Sequence, residues 1–181
     1  KNHKILKIKK DNKKNTIYLV DTGKNSGTGG RLKIANKIIK NKDDFLMTYC
    51  DGLSNLNIFK LIQQHKKKKK LVTLTAVHPR HRYGIVKINN NLVKSFNNNN
   101  PKQNVRINGG FFIIKVRALE LIKNKNVFWE QEPINKLIKK NQLSAYIHNG
   151  FWESLDTQKD KEYFNNLWKK KLIYWKKNKK N

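Results

Sequence analysis

The chain has 181 residues, enough for a domain with its own core, and 37% hydrophobic residues with four Trp and eight Phe exclude disorder of its middle by composition. No apolar run approaches the ~18 residues that a membrane span needs, and Lys1-Asn2-His3-Lys4 has no apolar stretch behind it, so neither a span nor a signal peptide is expected. The net charge of +29 has two readings. One is a surface selected to bind nucleic acid; the other is compositional drift, because Lys and Asn are both written with A-rich codons and both are inflated. Arginine, the usual bidentate reader, is scarce, which favours drift; the lysines still imply weak, salt-sensitive adhesion to polyanions. A single cysteine, Cys50, forbids an internal disulfide and fits a reducing, cytoplasmic compartment. The absence of an initiator Met suggests a fragment.

In chain order, residues 1–15 form a basic edge carrying one weak strand at Ile5 to Ile8, residues 16–175 a single domain, and residues 176–181 a lysine-rich tail. Thr16 to Val20 reads as a strand stopping at Asp21-Thr22-Gly23. A helix opens at Thr28, with Gly29 and Gly30 at its mouth and Leu32, Ala35, Ile38 and Ile39 at helical spacing. Phe45 to Tyr49 is a strand running into Cys50-Asp51-Gly52. A second helix places Ile58, Leu61, Ile62 and His65 on one face and dissolves at Lys66. Leu71 to Val77 is a buried strand. Tyr83 to Ile88 and Leu92 to Phe96 form a hairpin about Asn89 to Asn91, followed by a polar loop over Asn97 to Asn104. Ile107 to Ile114 is a strand, with short helices over Val116 to Lys123 and Pro133 to Asn141. Leu143 to His148 is a strand, and the last helix, Thr157 to Lys170, has Tyr163, Phe164, Leu167 and Trp168 as its apolar face. Alternating strands and helices predict an α/β sheet.

Two aspartates stand where apolar strands end: Asp51 after Phe45 to Tyr49, and Asp156 after Phe151-Trp152. Ligands of open α/β sheets collect at such strand ends, and two carboxylates there could hold Mg²⁺; ordinary loop or N-cap aspartates are the alternative. Ser26-Gly27-Thr28-Gly29-Gly30-Arg31 is a Gly-rich helix start, whose N–H groups serve either the helix alone or an anion as well. Asn108-Gly109-Gly110 permits close backbone approach, by a neighbouring strand or by a sugar. Trp129-Glu130-Gln131-Glu132-Pro133 reads as a loop into a helix, or as a Trp-Glu sugar contact. The histidines of His78-Pro79-Arg80-His81 lack partners for a metal site. Asp21-Thr22-Gly23 resembles the retroviral aspartic protease triplet, but Lys24 stands where that family has Ala.

The order of these segments carries more than any one of them. The succession from Leu19-Val20-Asp21-Thr22-Gly23 through Thr28-Gly29-Gly30-Arg31-Leu32-Lys33, Thr48-Tyr49-x-Asp51-Gly52, Ile107-Asn108-Gly109-Gly110-Phe111-Phe112, Trp129 to Pro133 and Gly150-Phe151-Trp152 to Asp156-Thr157-x-x-Asp160-Lys161 resembles the glucose-1-phosphate cytidylyltransferases of the sugar nucleotidyltransferase family. The resemblance spans about Thr16 to Trp175. It implies a Rossmann-like nucleotidyltransferase fold, a mixed sheet flanked by helices. It implies conversion of CTP and α-D-glucose 1-phosphate into CDP-glucose and pyrophosphate with Mg²⁺, feeding deoxysugar and surface-polysaccharide (lipopolysaccharide) synthesis. Asp51 and Asp156 would be the metal ligands, Ser26, Arg31 and Cys50 the nucleotide contacts, and Asn108, Gly109 and Glu130 the sugar contacts; relatives assemble into oligomers.

The chain departs from that family in several places. The family's N-terminal Gly-rich loop ending Gly-Thr-Arg-Leu, its Lys-Pro-Lys-Pro segment and its first strands have no counterpart, so no catalytic residue is assigned and the chain by itself is expected to be inactive. Cys50 stands where the family motif has Gly and would crowd the nucleotide. The phosphate-binding lysine has only a displaced candidate, Lys102. Leu155 replaces a Met of similar volume.

Overall fold

A computed structural model describes residues 5–9, 16–40, 43–79, 85–97 and 105–176. Its elements, in order, are β1 (Ile5–Lys9), β2 (Thr16–Val20), α1 (Thr28–Ile39), β3 (Phe45–Met47), β4 (Gly52–Ser54), α2 (Ile58–Lys68), β5 (Val72–Val77), β6 (Ile85–Asn89), β7 (Leu92–Asn97), β8 (Ile107–Ile114), a 3-10 helix (Val116–Leu121), α3 (Glu132–Lys139), β9 (Leu143–His148), β10 (Trp152–Ser154) and α4 (Gln158–Lys169). Four strands form a sheet in the order β3-β8-β5-β9; β1-β2, β4-β10 and β6-β7 form separate two-stranded ladders. The α/β class expected from the alternation is the class observed.

The chain divides into two compact units, the first made of Lys1–Leu46, Lys68–Thr73 and Ile113–Ser144, the second of Met47–Lys67, Leu74–Phe112 and Ala145–Asn181. In the first unit, α1 starts at an N-cap glycine, Gly27, and ends at Lys40, which takes the left-handed conformation with φ 55°. Val72, Ile113, Ile114, Ala118, Leu119, Ile122, Trp129 and Leu137 are among its buried apolar residues. Glu132 opens α3 with Pro133 behind it, as helix starts favour. Its carboxylate pairs with Lys136 at 2.8 Å and Lys123 at 3.5 Å. The Lys136 bond, first among the causes, holds the Glu132 carboxyl below its ordinary range. Any stability it adds is therefore present above that range and lost as pH falls through the lowered value; the pair is exposed, so the contribution is small.

In the second unit the buried residues include Leu56, Leu61, His65, Ala76, Val77, Phe112, Phe164 and Leu167. Helix α2 does not dissolve at Lys66: it continues to Lys68 and stops at Lys69, φ 53°. Lysines at a helix C-terminus face solvent and complement the dipole, so the run extends the helix. The β6-β7 hairpin turns on Asn90 and Asn91, φ 47° and 59°, the two-residue left-handed turn that Asn tolerates. In α4 the inward face is Phe164 and Leu167; Trp168, expected with them, is 59% exposed. Phe45 to Tyr49 is strand only as far as Met47, and β4 is a strand the sequence did not announce. Lys102, Arg80 and His81 lie outside the described residues.

Helix α4 begins in a capping box. The Thr157 hydroxyl accepts the Asp160 N–H at 3.2 Å, and Asp160 Oδ2 accepts the Thr157 N–H at 3.0 Å. Thr157→Ala is expected to cost about 1 kcal/mol, read as a Tm lower by about 2–4 °C in thermal denaturation.

Candidate functional site

In the first unit, the segment from β2 to α1 is cross-braced by its own side chains. Asp21 Oδ1 accepts the Gly23 N–H at 2.8 Å, and Gly23 sits at φ +86°, which closes a tight turn. Ser26, buried, donates its hydroxyl to the Thr22 carbonyl. Arg31 donates to Thr22 Oγ1 at 2.7 Å and to the Lys24 carbonyl at 3.2 Å. Ser26 and Arg31, two of the three expected nucleotide contacts, thus clasp one turn. Asp21 is part of that Asx turn, which accounts for the triplet without protease chemistry.

The glycines after Ser26 serve packing. The Gly27 N–H bonds the Lys125 carbonyl at 2.9 Å and the Gly30 N–H bonds the Val127 carbonyl at 3.1 Å. A Cβ on Gly27 would run into the carbonyl oxygens of Val127 and Asn126, and one on Gly30 into the Lys125 backbone; one on Gly29 would lie 2.9 Å from the Val127 carbonyl oxygen. Two donors that an anion would have used are therefore bonded within the protein, and the helix start is a seat for the 125–129 loop. That loop ends in Trp129, fully buried, and Glu130, exposed. The Trp129 ring belongs to the core, so the reading of a Trp-Glu pair facing a sugar does not apply to it. Glu130 Oε2 accepts the Thr28 hydroxyl at 2.6 Å, and Thr28 Oγ1 accepts the Trp129 N–H at 2.9 Å.

In the second unit, β4 and β10 pair antiparallel, with Gly52 opposite Ser154 and Ser54 opposite Trp152. One step further, the Leu155 N–H donates to the Asp51 carbonyl at 3.0 Å. Asp51 and Asp156 thus leave the same end of one ladder, although 104 residues lie between them. Both are exposed, and Asp156 Oδ2 accepts the Ser154 hydroxyl at 2.7 Å. The strand that carries Asp51 there is β4, after it, and not β3 before it. Cys50 is exposed beside it. Asp160, in the same motif, is 5% exposed and its carboxylate is spent on the α4 cap.

Asn108, Gly109 and Gly110 lie at the start of β8. A Cβ on Gly109 would come within 2.7 Å of Val77 Cγ1, and one on Gly110 within 2.6 Å of the Tyr49 ring; Gly110 also has φ +79°. Asn108 Oδ1 accepts the Gly110 N–H at 3.0 Å, and the Trp152 indole donates to the Gly109 carbonyl at 2.8 Å. Strand crowding is therefore sufficient reason for both glycines. Ser54 and His148 approach to 3.2 Å, but the Ser54 hydroxyl donates to the Phe151 carbonyl at 2.8 Å, which makes the pair a brace for the β4-β10 ladder.

Among the described residues, no group of three or more His, Cys, Asp or Glu side chains could hold a metal. Mg²⁺ asks less: it keeps several waters and takes one or two carboxylates plus substrate phosphate, and the exposed, hard oxygen donors of Asp51 and Asp156 fit that chemistry. A cavity of about 660 Å³ in the first unit is lined by Lys33, Lys37, Lys115, Arg117, Asp44 and Glu120 among others, and by none of the expected site residues. No helix among the described residues is long and apolar enough to cross a membrane.

The fold is that of an α/β protein, and comparison with known proteins gives the family. The chain belongs to the nucleotidyl transferase family, whose model matches residues 2–171. It is 42% identical over 160 residues to the glucose-1-phosphate cytidylyltransferase of Salmonella typhimurium, covering 88% of this chain and 62% of that protein. It is 30% identical over 164 residues to mannose-1-phosphate guanyltransferase 2 of Candida glabrata, covering 86% and 45%. Among solved structures, HddC from Yersinia pseudotuberculosis superposes with a TM-score of 0.56 at 20% identity, over 81% of this chain and 64% of that one. The inositol-1-phosphate CTP transferase of T. maritima gives 0.51 at 12% identity, over 75% and 58%. These two likenesses establish the fold alone: a nucleotidyltransferase-like mixed sheet flanked by helices. The chain spans about 62% of the length of the cytidylyltransferase it matches.

Proposed function

We propose that this chain is the greater part of a glucose-1-phosphate cytidylyltransferase, which makes CDP-glucose and pyrophosphate from CTP and α-D-glucose 1-phosphate in the cytoplasm. The observation that carries the reading is the β4-β10 ladder, which brings Asp51 and Asp156 to one end in a chain 42% identical to such an enzyme. In this reaction a phosphate oxygen of the sugar attacks the α-phosphorus of the nucleotide. A new P–O bond forms, the bond between the α- and β-phosphates breaks, and pyrophosphate carries away the electron pair. No covalent help from the protein is needed; positioning and charge neutralisation carry the step.

In this reading Asp51 and Asp156 hold Mg²⁺, which when bound offsets charge on the phosphates. Ser26 and Arg31 contact the nucleotide from the braced turn, with Cys50 against it. Asn108, Gly109 and Glu130 contact the sugar. The brace supports the assignment of Arg31 physically: two of its five N–H donors are bonded to Thr22 and Lys24, which aims the guanidinium.

The test is turnover of CTP, UTP and dTTP with glucose 1-phosphate and Mg²⁺ by the full-length gene product, beside Asp51→Asn and Asp156→Asn. Preference for CTP and a loss of about 100-fold or more in kcat for each variant are expected, the scale set by removing one transition-state charge stabiliser. Full activity in both variants overturns the metal assignment. Equal use of the three nucleotides leaves the family and overturns the cytidylyl reading.

A further inference from the structure

We infer that Thr28 is a positioning residue: its hydroxyl holds the Glu130 carboxylate in place as an acceptor for the hydroxyl groups of a sugar phosphate. The inference rests on the reading of Glu130 as a sugar contact and adds to it the group that orients it. A hydroxyl has one proton to give, and Thr28 gives it to Glu130 Oε2 at 2.6 Å. Thr28 Oγ1 in turn accepts the Trp129 N–H at 2.9 Å. Thr28 is thereby bonded to two successive residues of the loop, and its single proton is committed to the carboxylate.

The bonds matter because both backbones are already fixed. Gly27 and Gly30 tie α1 to the carbonyls of Lys125 and Val127 at 2.9 and 3.1 Å, the glycines leave no room for the loop to slide, and Trp129 is anchored in the core. The Glu130 side chain is exposed, and each bond to its carboxylate, the Thr28 bond included, narrows the rotamers it samples. A short charge-assisted bond from a β-branched, rotamer-restricted residue at the first turn of a helix selects among them. The ligand that such a fixed carboxylate serves is a polyol, whose O–H groups donate to it. The triphosphate of CTP, negatively charged, is not a ligand for a carboxylate.

The experiment is calorimetric titration of the full-length gene product with glucose 1-phosphate and, separately, with CTP and Mg²⁺. Thr28→Val, which keeps the shape and deletes the hydroxyl, is expected to weaken glucose 1-phosphate about 10-fold and to leave CTP within about 2-fold, the scale of one lost bond to a charged group. Thr28→Ser, which keeps the hydroxyl, is expected to stay within about 3-fold of the parent for both. Glu130→Gln reports on the underlying reading and is expected to weaken the sugar phosphate at least as much as Thr28→Val. Should valine not be accommodated, as judged by far-ultraviolet circular dichroism, Thr28→Ala deletes the same hydroxyl and is read in the same way. Parent-like sugar binding by the hydroxyl-deleted variant, with Glu130→Gln weakened, overturns the positioning role and spares Glu130. Parent-like binding by Glu130→Gln, or no sugar phosphate binding by the parent chain, overturns the Glu130 reading and the inference with it. Equal weakening of CTP and sugar phosphate marks a general structural role and also overturns it.

Discussion

Gly30→Ala is expected to lower the melting temperature by about 10 °C or to prevent folding. The added Cβ would occupy the Lys125 backbone, with the carbonyl carbon 2.5 Å and Cα 2.7 Å away. A flexible side chain could step aside from such a clash, but here the obstacle is main chain held by the Gly27 and Gly30 hydrogen bonds. Relief requires moving the 125–129 loop off α1, which breaks those bonds and disturbs the seat of Trp129. Overpacking of this kind costs about 3 kcal/mol or more, and in a chain of this size each kcal/mol is worth about 2–4 °C. Gly52→Ala is the control. Its Cβ would meet nothing closer than 3.7 Å, ordinary van der Waals contact, and its melting temperature is expected within about 2 °C of the parent. Equal melting of the two variants would mean that the Gly-rich helix start is not held against the loop. Because Arg31 follows directly, any folded fraction of the Gly30 variant is also expected to bind CTP more weakly.

Trp129→Ala is expected to cost about 4 kcal/mol, the usual range for deleting a fully buried aromatic side chain. Trp129 has no exposed surface, whereas its neighbour Phe128 is 49% exposed. Phe128→Ala is therefore expected to shift the melting temperature by no more than about 2 °C, while Trp129→Ala shifts it by about 10 °C. The same pair separates packing from recognition. A Trp that stacked on a sugar would lose ligand affinity with little stability, and that pattern in denaturation and calorimetry would contradict a core role for the ring.

The elements legible in the sequence are those with long or strongly patterned signals. Strand β8 is legible from Ile107 to Ile114 because an apolar run surrounds its glycines. Strand β2 and the start of α1 are legible from β-branched and aromatic content and from apolar residues at helical spacing, and Thr157 marks the start of α4 as an N-cap should. Strand β4 escaped because three residues cannot display a period of two, and its partner β10 was legible only as Phe151-Trp152. The exposure of Trp168 is not legible because a four-residue apolar cluster on a helix does not say which member the core omits.

The candidate residues divide in the same way. Asp51 and Asp156 were singled out from the chain alone, since acidic residues at strand ends of an α/β sheet are a local signal. That they share one ladder end is a pairing between distant segments, set by the β4-β10 hydrogen bonds and by nothing local. The glycines at 27, 29 and 30 were visible as a motif, but local sequence cannot tell a backbone that approaches a ligand from one that approaches another loop. Thr28, read only as part of that motif, has its role from Glu130 and Trp129, some hundred positions away. Composition, periodicity and the order of short motifs thus determined the class of fold, the family resemblance and the candidate residue types, because these depend on neighbours in the chain. The tertiary structure decided what each candidate touches, because hydrogen bonds and steric exclusion act between segments that the chain order leaves far apart.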